Sequence, residues 1–242
     1  MIDHQLAAQL ATEAGELLLA VRNELADAPA IERKAAGDKR SHEFLIEQLA
    51  HARPTDAVLS EEGADNPQRL QAERVWIVDP LDGTREFSEL GRHDWAVHVA
   101  LWQAGALAAG AVALPAQGVT LATPNVAPPV PYPGPPRIVV SRTRPPAIAL
   151  RVQEHLNGTL VEMGSAGAKV AAVIQGLADV YVHAGGQQEW DSAAPVVVAR
   201  AAGLHTSRID GSPLQYNQPD PVLPDLLVCR PEYADAVLAA VN

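Results

Sequence analysis

Residues 78–87 read Val78-Asp79-Pro80-Leu81-Asp82-Gly83-Thr84-Arg85-Glu86-Phe87 and place two aspartates three residues apart at the end of an apolar run. That run predicts a strand that stops at Asp79-Pro80, and Pro80 and Gly83 predict a tight turn after it. In such a turn both carboxylates and the Leu81 carbonyl converge, offering the hard oxygen ligands that suit Mg²⁺. A predicted helix then starts at Gly83-Thr84, where free N–H groups and a hydroxyl can hold phosphate.

Two other segments present acids in the same manner. Glu61-Glu62 closes the predicted strand Ala57–Ser60, and Trp190-Asp191 opens a predicted helix. A cluster of Glu61, Asp79, Asp82 and Asp191 would repel itself unless two or more divalent cations neutralised it. Two metals about 3.5–4 Å apart can orient an attacking water and stabilise a leaving oxygen. The pattern therefore predicts a metal-dependent phosphomonoesterase.

Other interpretations of these motifs are weaker. An Asp-Pro-x-Asp-Gly turn also occurs as a solvated surface loop. The spacing fits neither a calcium-binding EF-hand loop nor the Asp-x-Asp of phosphatases that use an aspartyl nucleophile. The segment Gly164 to Lys169 lacks the Gly-x-Gly-x-x-Gly of a dinucleotide site. A transition-metal pair of His93 and His98 is disfavoured because the stronger cluster consists of oxygen ligands.

Composition narrows the class of protein. The chain has 242 residues, 48% of them hydrophobic, and a formal net charge of −11. This charge argues against nonspecific binding to nucleic-acid polymers, and it requires local cations or metal to attract a phosphate substrate. The apolar stretch Ala104 to Ala113 is too short to cross a bilayer, so we expect a cytoplasmic enzyme with no membrane partner. Cys229 lies in an apolar run and predicts a buried strand thiol.

The pattern of elements predicts two halves. A helix is expected from Asp3, as its N-cap, to Leu25, and a second after Ser41. Predicted strands at 95–102 and 107–114 extend the first sheet. We expect residues 1–123 to form an α+β metal-binding domain, 124–136 a proline-rich connection, and 137–242 an α/β domain that completes the site. In the second half we expect strands at 137–140, 179–183, 213–216 and 226–229, and helices at 147–156, 166–176, 192–202 and 232–241.

The two motifs also carry a family resemblance. Asp79-Pro80-Leu81-Asp82-Gly83-Thr84 and Trp190-Asp191-Ser192-Ala193-Ala194 resemble the two signatures of the inositol monophosphatase superfamily. Leu59-Ser60-Glu61-Glu62-Gly63 is similar to its metal-binding Glu-Glu turn, and Gly83-Thr84-Arg85-Glu86-Phe87 is most similar to the CysQ branch.

The resemblance implies a fold and an activity. The implied fold is the αβαβα layered sandwich of the sugar phosphatases, a mixed α+β or α/β architecture. The implied reaction, which belongs to sulfur assimilation, is lithium-sensitive, Mg²⁺-dependent hydrolysis of the 3′-phosphate of 3′-phosphoadenosine 5′-phosphate to AMP. Inositol monophosphate and fructose 1,6-bisphosphate are alternative substrates at the same site. An inactive metal-binding or nucleotide-binding module is the alternative from another class.

The resemblance also assigns roles by matching position. Two or three Mg²⁺ ions would be held by Glu61, Asp79, the Leu81 carbonyl, Asp82 and Asp191. The catalytic residues would be Thr84, Asp38 and Glu61, although the family's string upstream of Asp38 is not intact here. The substrate would contact Leu81, Asp82, Gly83, Thr84, Arg85, Ser141, Arg142, Ser165, Lys169 and Asp191. Lys169 would contact a second, nonreacting phosphate of a phosphorylated nucleotide or sugar phosphate. The alternative to a phosphate contact for Arg85 is an ion pair with Glu86 or Glu89. His183 would either line the pocket or have a structural role. The oligomeric state is left open, with a homodimer as one of the states considered.

Overall fold

The computed structural model describes residues 1–241 and contains two five-stranded sheets. Two long helices precede the first sheet, and a short one interrupts it: α1 (Asp3–Glu24), α2 (Ala30–Ala52) and α3 (Thr84–Ser88). The first sheet consists of β1 (Ala57–Ser60), β2 (Arg74–Asp82), β3 (Ala96–Gln103), β4 (Ala106–Leu114) and β5 (Val119–Ala122). Its strands are ordered β1-β2-β3-β4-β5, and only the β1–β2 pair is parallel.

The second sheet follows the proline-rich segment that connects β5 to β6. Its strands are β6 (Arg137–Ser141), β7 (Thr159–Met163), β8 (Val180–Gln188), β9 (His205–Ser207) and β10 (Val222–Cys229). They are ordered β7-β6-β8-β10-β9, with β6 parallel to both β7 and β8. The helices of this half are α4 (Ala147–His155), α5 (Ala166–Ile174), α6 (Glu189–Ala201) and α7 (Ala234–Val241).

Alternation along the strands creates five layers. On β2, Trp76 and Val78 pack in one cluster with α1 and α2, while Val75 and Ile77 face a second cluster that contains α5 and α6. The second sheet covers the other side of α5 and α6, and its outer face packs against α4 and α7. The order is helices, sheet, helices, sheet, helices, so the predicted αβαβα sandwich is confirmed.

The predicted start of the second helix is wrong, because α2 begins at Ala30 and not after Ser41. Its buried face consists of Arg33, Gly37, Ser41, Leu45 and Leu49, spaced four residues apart. The first three of these are not apolar, so hydrophobic periodicity did not reveal the first turns of the helix. Asp38 consequently lies within a helix.

The predicted end of β2 is also wrong. The strand continues through Asp79 and Pro80 to Asp82, with an irregular register against β3 between the two aspartates. Pro80 donates no hydrogen bond, and its carbonyl accepts one from Ser41 Oγ at 2.7 Å. The irregular end of a buried strand, and not an exposed turn, carries the motif.

Three further expectations differ from the structure. Ile2 is the N-cap of α1, while Asp3 forms ion pairs with Arg53 and Arg74. Residues 213–216 form no strand. Three strands were not predicted: β9 and β5 because they are short, and β7 because it is a partly exposed edge strand.

Cys229 is completely buried at the end of β10, as predicted, and burial raises the pKa of its thiol to about 12. None of the helices within residues 1–241 has both the length and the apolar character needed to cross a membrane.

Candidate active site

Asp79 and Asp82 lie at the end of β2, and both are buried. Asp79 is only 1% exposed, and its Oδ1 accepts a hydrogen bond from the Leu81 N–H at 2.9 Å. Its other oxygen, Oδ2, has no hydrogen-bond donor within the described chain. A buried carboxylate oxygen without a donor is unfavourable unless a cation neutralises it.

The Asp82 carboxylate reaches across to the second half of the protein and meets the N-terminus of α5. It accepts hydrogen bonds from Ser165 Oγ at 2.5 Å, from Gly167 N–H at 2.5 Å and from Ala166 N–H at 3.2 Å. The free N–H groups and the positive end of the helix dipole stabilise a negative charge there. Asp82 therefore joins the two halves as well as carrying charge.

The third carboxylate comes from Asp191 in the first turn of α6, where its Oδ2 accepts a hydrogen bond from Gln188 N–H at 2.7 Å. Ligand oxygens of Asp79, Asp82 and Asp191 all lie within 4.8 Å of one another. The two acids at the end of β2 and the distant Asp191 thus converge on one point, as the motif pattern predicted for them.

Electrostatic strain marks this cluster. Burial raises the pKa of Asp191 to about 7, and the neighbouring Asp82 charge adds to the rise. Burial also raises the pKa of Glu61 to about 7, opposed by a hydrogen bond with Asp79 and reinforced by Asp191, Asp82 and Glu62. The pKa of Asp79 is raised by burial and by Glu61, Asp82 and Asp191. Glu61 thus interacts electrostatically with the other three acids, but its side chain is exposed and it is not part of the group whose ligand oxygens lie within 4.8 Å of one another.

These residues fit a divalent cation. Asp79 Oδ2 is buried without a donor and lies in a group of converging carboxylates, and burial together with the charges of neighbouring acids raises the pKa values of Asp79 and Asp191. Carboxylate and carbonyl oxygens are the ligands that Mg²⁺ prefers, and a bound cation would remove the repulsion.

Thr84 begins α3 next to this cluster. Its Oγ1 lies 3.2 Å from the Leu81 carbonyl oxygen and within hydrogen-bond reach of Asp38, and its single proton can be donated to either acceptor. Burial and the Glu62 charge raise the pKa of Asp38 to about 6, while the hydrogen bond with Thr84 and the charge of Lys34 oppose the rise. Asp38 and Thr84 are therefore side by side.

Two arginines hold the opposite end of α3. Arg22 donates to the carbonyls of Glu89 and Arg92, and Arg33 donates twice to the carbonyl of Ser88. Cations at the C-terminus of a helix interact favourably with its dipole and satisfy its free carbonyls. These contacts fix the direction in which α3 presents Thr84.

A cavity of about 270 Å³ opens between Asp82 and Asp191 on one side and the second sheet on the other. Of the predicted substrate contacts, Asp82, Gly83, Ser141, Ser165, Lys169 and Asp191 line it. Lys169 is buried, which lowers its pKa, and its ammonium donates to the carbonyls of Gly164 and Ser165.

The two predicted arginine contacts lie elsewhere. Arg142 donates to Glu86 and Glu89 at 2.7 Å each, so its guanidinium is already occupied in a link between the two halves. Arg85 is exposed, and its Nε lies 3.3 Å from Glu89 Oε1, which is the ion pair considered as its alternative. The phosphate-binding roles of both residues stay predictions.

Sequence reasoning missed several residues of the site. Tyr181 and Gln187 line the cavity together with His183, and His98, considered only in a disfavoured transition-metal pair, lies against Asp79 and Asp82. Of these, only His183 was considered as a pocket residue. The position of His98 opposite Asp79 in the β2–β3 pair gives the signal in retrospect, because cross-strand neighbours lie about 5 Å apart.

The chain matches the inositol monophosphatase family over residues 4–126 and 137–242. It is 53% identical over 238 residues to the 3′-phosphoadenosine 5′-phosphate phosphatase of Mycobacterium tuberculosis, covering 95% of this chain and 89% of that protein. It is 28% identical over 225 residues to the 3′(2′),5′-bisphosphate nucleotidase CysQ of Escherichia coli, covering 86% and 91%. The crystal structure of CysQ from Bacteroides thetaiotaomicron superposes with a TM-score of 0.76 at 27% identity, covering 93% of this chain and 96% of that one.

Proposed function

Because the chain belongs to the inositol monophosphatase family, we propose that it is a Mg²⁺-dependent phosphatase that hydrolyses the 3′-phosphate of 3′-phosphoadenosine 5′-phosphate. The observation that carries the proposal is the convergence of Asp79, Asp82 and Asp191, with an oxygen of Asp79 buried and unpaired. The substrate follows from the name of the relative in Mycobacterium tuberculosis, which is 53% identical.

In this proposal Glu61, Asp79, Asp82, Asp191 and the Leu81 carbonyl would hold two or three Mg²⁺ ions. The Leu81 carbonyl accepts one hydrogen bond, from Thr84, and keeps a lone pair for a cation. When bound, the cations supply positive charge that stabilises the phosphoryl group as the bond to the leaving oxygen breaks.

The residues of the chain then act as follows. Thr84 Oγ1 holds the attacking water, and Asp38 takes its proton, since the two side chains are in contact. The water oxygen bonds to phosphorus, the bond from phosphorus to O3′ breaks, O3′ takes up a proton from solvent, and Asp38 later releases its proton to solvent. The products are AMP and inorganic phosphate.

The cavity supports a nucleotide with two phosphates. Lys169, whose ammonium keeps one proton beyond its two carbonyl contacts, and the hydroxyl of Ser141 offer donors for the nonreacting phosphate, while the Ser165 hydroxyl is bound to Asp82. Val140, Pro146 and Val182 line the same cavity and give it an apolar wall for a base. The positive charge of Lys169 attracts a phosphate locally, whereas the overall charge of −11 repels it.

The test is a phosphate-release panel with and without Mg²⁺. The substrates are 3′-phosphoadenosine 5′-phosphate, inositol monophosphate and fructose 1,6-bisphosphate, each compared by kcat/KM. We expect release only with Mg²⁺ and the highest kcat/KM for the nucleotide. A higher value for either sugar compound would reject the proposed substrate, and Mg²⁺-dependent thermal stabilisation without phosphate release would indicate an inactive binding module.

A further inference from the structure

One buried histidine, His98 on β3, lies directly behind the three converging carboxylates and is completely shielded from solvent. Its Nδ1 is 2.9 Å from the carbonyl oxygen of Trp190, and its Nε2 is 3.3 Å from Asp82 Oδ2. Asp79 Oδ2 is 3.9 Å from Nδ1. The ring therefore touches both acidic motifs at once.

The carbonyl of Trp190 can only accept a hydrogen bond, so Nδ1 is the donor in this contact. Nε2 has no hydrogen-bond partner among the described residues and faces Asp82. Position 167, opposite the ring, requires glycine for a steric reason, because a Cβ at Gly167 would lie 1.9 Å from Nε2. The start of α5 is thus shaped around the imidazole.

The two contacts of His98 connect different parts of the molecule. His98 stands opposite Asp79 in the β2–β3 register and so belongs to the first sheet. Trp190 lies in the first turn of α6, directly before Asp191. The Nδ1 hydrogen bond therefore ties the segment that carries Asp191 to the strand pair that carries Asp79 and Asp82.

We propose that His98 is a positioning residue that holds Asp191 at metal-binding distance from Asp79 and Asp82. This inference rests on the proposed metal-dependent function. The three carboxylates have oxygens within 4.8 Å of one another and repel one another, so without a fixed contact the first turn of α6 can shift away from β2. In a buried setting the hydrogen bond to the Trp190 carbonyl opposes that shift, because breaking it leaves a polar group unsatisfied.

A matched pair of variants isolates this hydrogen bond from packing. His98→Asn retains a side-chain N–H near the position of Nδ1, whereas His98→Leu has nearly the same shape and no donor. Both remove the outer part of the ring next to Gly167, so any loss of packing is common to both. His93→Asn, at an exposed position ahead of β3, is the control.

The measurement is Mg²⁺ affinity by calorimetry without substrate, followed by KM for the nucleotide at saturating Mg²⁺. We expect His98→Leu to bind Mg²⁺ at least about threefold more weakly than His98→Asn, the value of one buried hydrogen bond. We expect nearly equal nucleotide KM in both variants and native Mg²⁺ affinity in His93→Asn.

Equal Mg²⁺ affinities for the asparagine and leucine variants would overturn the inference, since packing alone would then account for any loss. Should His98→Leu fail to fold, the asparagine variant decides: affinity within about threefold of native supports positioning, and a loss beyond about tenfold overturns it. Native protein that binds no Mg²⁺ would instead refute the proposed function, so the two failures are distinguishable.

Discussion

Asp38 illustrates how the surroundings of a single side chain set its chemistry. It lies on α2 beside Thr84, and burial together with the Glu62 charge raises its pKa to about 6. A carboxylate with this pKa is protonated in mildly acidic solution and ionised at neutral pH. It can therefore act as a general base near pH 7.

We expect Asp38→Asn to lower kcat by about 10²- to 10⁴-fold, because the amide cannot accept the proton of the water. In the native protein kcat should rise with pH through about 6, where Asp38 loses its proton. The measurement is a pH profile of kcat at saturating Mg²⁺ and nucleotide, with circular dichroism as the control for folding. A variant with near-native kcat at pH 7.5 would exclude Asp38 as the base.

We expect substitution of Arg85 to change mainly KM and substitution of Arg142 to change mainly the melting temperature. Arg85 is exposed and pairs weakly with Glu89, so Arg85→Ala should mainly raise KM if this side chain clamps a phosphate. Arg142 is bound to Glu86 and Glu89, so Arg142→Ala should lower the melting temperature by about 2–4 °C. Steady-state kinetics and thermal melts of both variants make the comparison. Unchanged stability in Arg142→Ala with a large rise in KM would instead favour the phosphate role predicted from the sequence.

At the scale of elements, the close approach of α2 to α3 brings Asp38 to Thr84. Gly37 permits this contact, since a Cβ there would lie 2.7 Å from Phe87 Cε1 and 2.9 Å from Leu81 Cδ2. Gly15 on α1 is equally crowded, with a Cβ position 2.6 Å from Pro115 Cγ. Only the first of these contacts supports the site.

We expect overpacking to destabilise the fold of Gly37→Ala and of Gly15→Ala by about 1–3 kcal/mol each. The better helix propensity of alanine offsets about 1 kcal/mol of this loss in each variant. Only Gly37→Ala should also lower kcat, by about tenfold or more, because it separates Asp38 from Thr84. Urea unfolding and kcat are measured for both. Equal kcat in the two variants would contradict the positioning role of this helix contact.

The element scale also explains which parts of the fold could be predicted. Helix α1 follows the hydrophobic periodicity of an amphipathic helix, and strands β3 and β4 are nearly continuous apolar runs, so their positions were predictable. The beginning of α2 was not, because Arg33, Gly37 and Ser41 face inward for tertiary reasons that a local pattern does not reveal. For the same reason the hydrogen bonds of Asp82 to the start of α5 were unforeseen: they join segments more than 80 residues apart.

At the scale of the whole molecule, the site depends on both halves. The motifs correctly predicted that Asp79, Asp82 and Asp191 meet, since each motif is short and self-contained. The packing that brings them together depends on side chains without a motif, such as His98 and the arginines behind α3. The roles of Asp79, Asp82 and Asp191 as metal ligands stay a prediction until a cation is bound.

Metal and pH should act together on stability. The raised pKa values of Glu61, Asp79 and Asp191 mean that the folded chain binds protons more tightly than the unfolded chain, so metal-free protein loses stability as pH rises through about 7. His98 and His183, whose pKa is lowered by burial, act in the opposite direction, but mainly below about pH 6.5. Above about pH 6.5 the two histidines are neutral in both the folded and the unfolded chain, so the acids set the direction of the pH dependence there.

We therefore expect the melting temperature in EDTA to fall by roughly 4 °C between pH 6.5 and pH 8.5. Mg²⁺ should stabilise the protein more at pH 8.5, where the carboxyls are already ionised. Asp191→Asn should flatten the pH dependence and abolish most of the Mg²⁺ effect. Thermal melts at both pH values test this, and a melting temperature in EDTA that is higher at pH 8.5 than at pH 6.5 would show that the acids do not repel one another in the folded state.

The buried thiol of Cys229 at the end of β10 makes the protein suitable for selective labelling at an engineered cysteine. Cys229 is the sole cysteine of the sequence, and its burial and raised pKa leave almost no thiolate for alkylating reagents. A cysteine introduced on the surface would thus be the one site that a maleimide dye modifies in the folded protein. Paired with a second engineered site, this background allows fluorescence measurements of the distance between the two sheets with and without Mg²⁺.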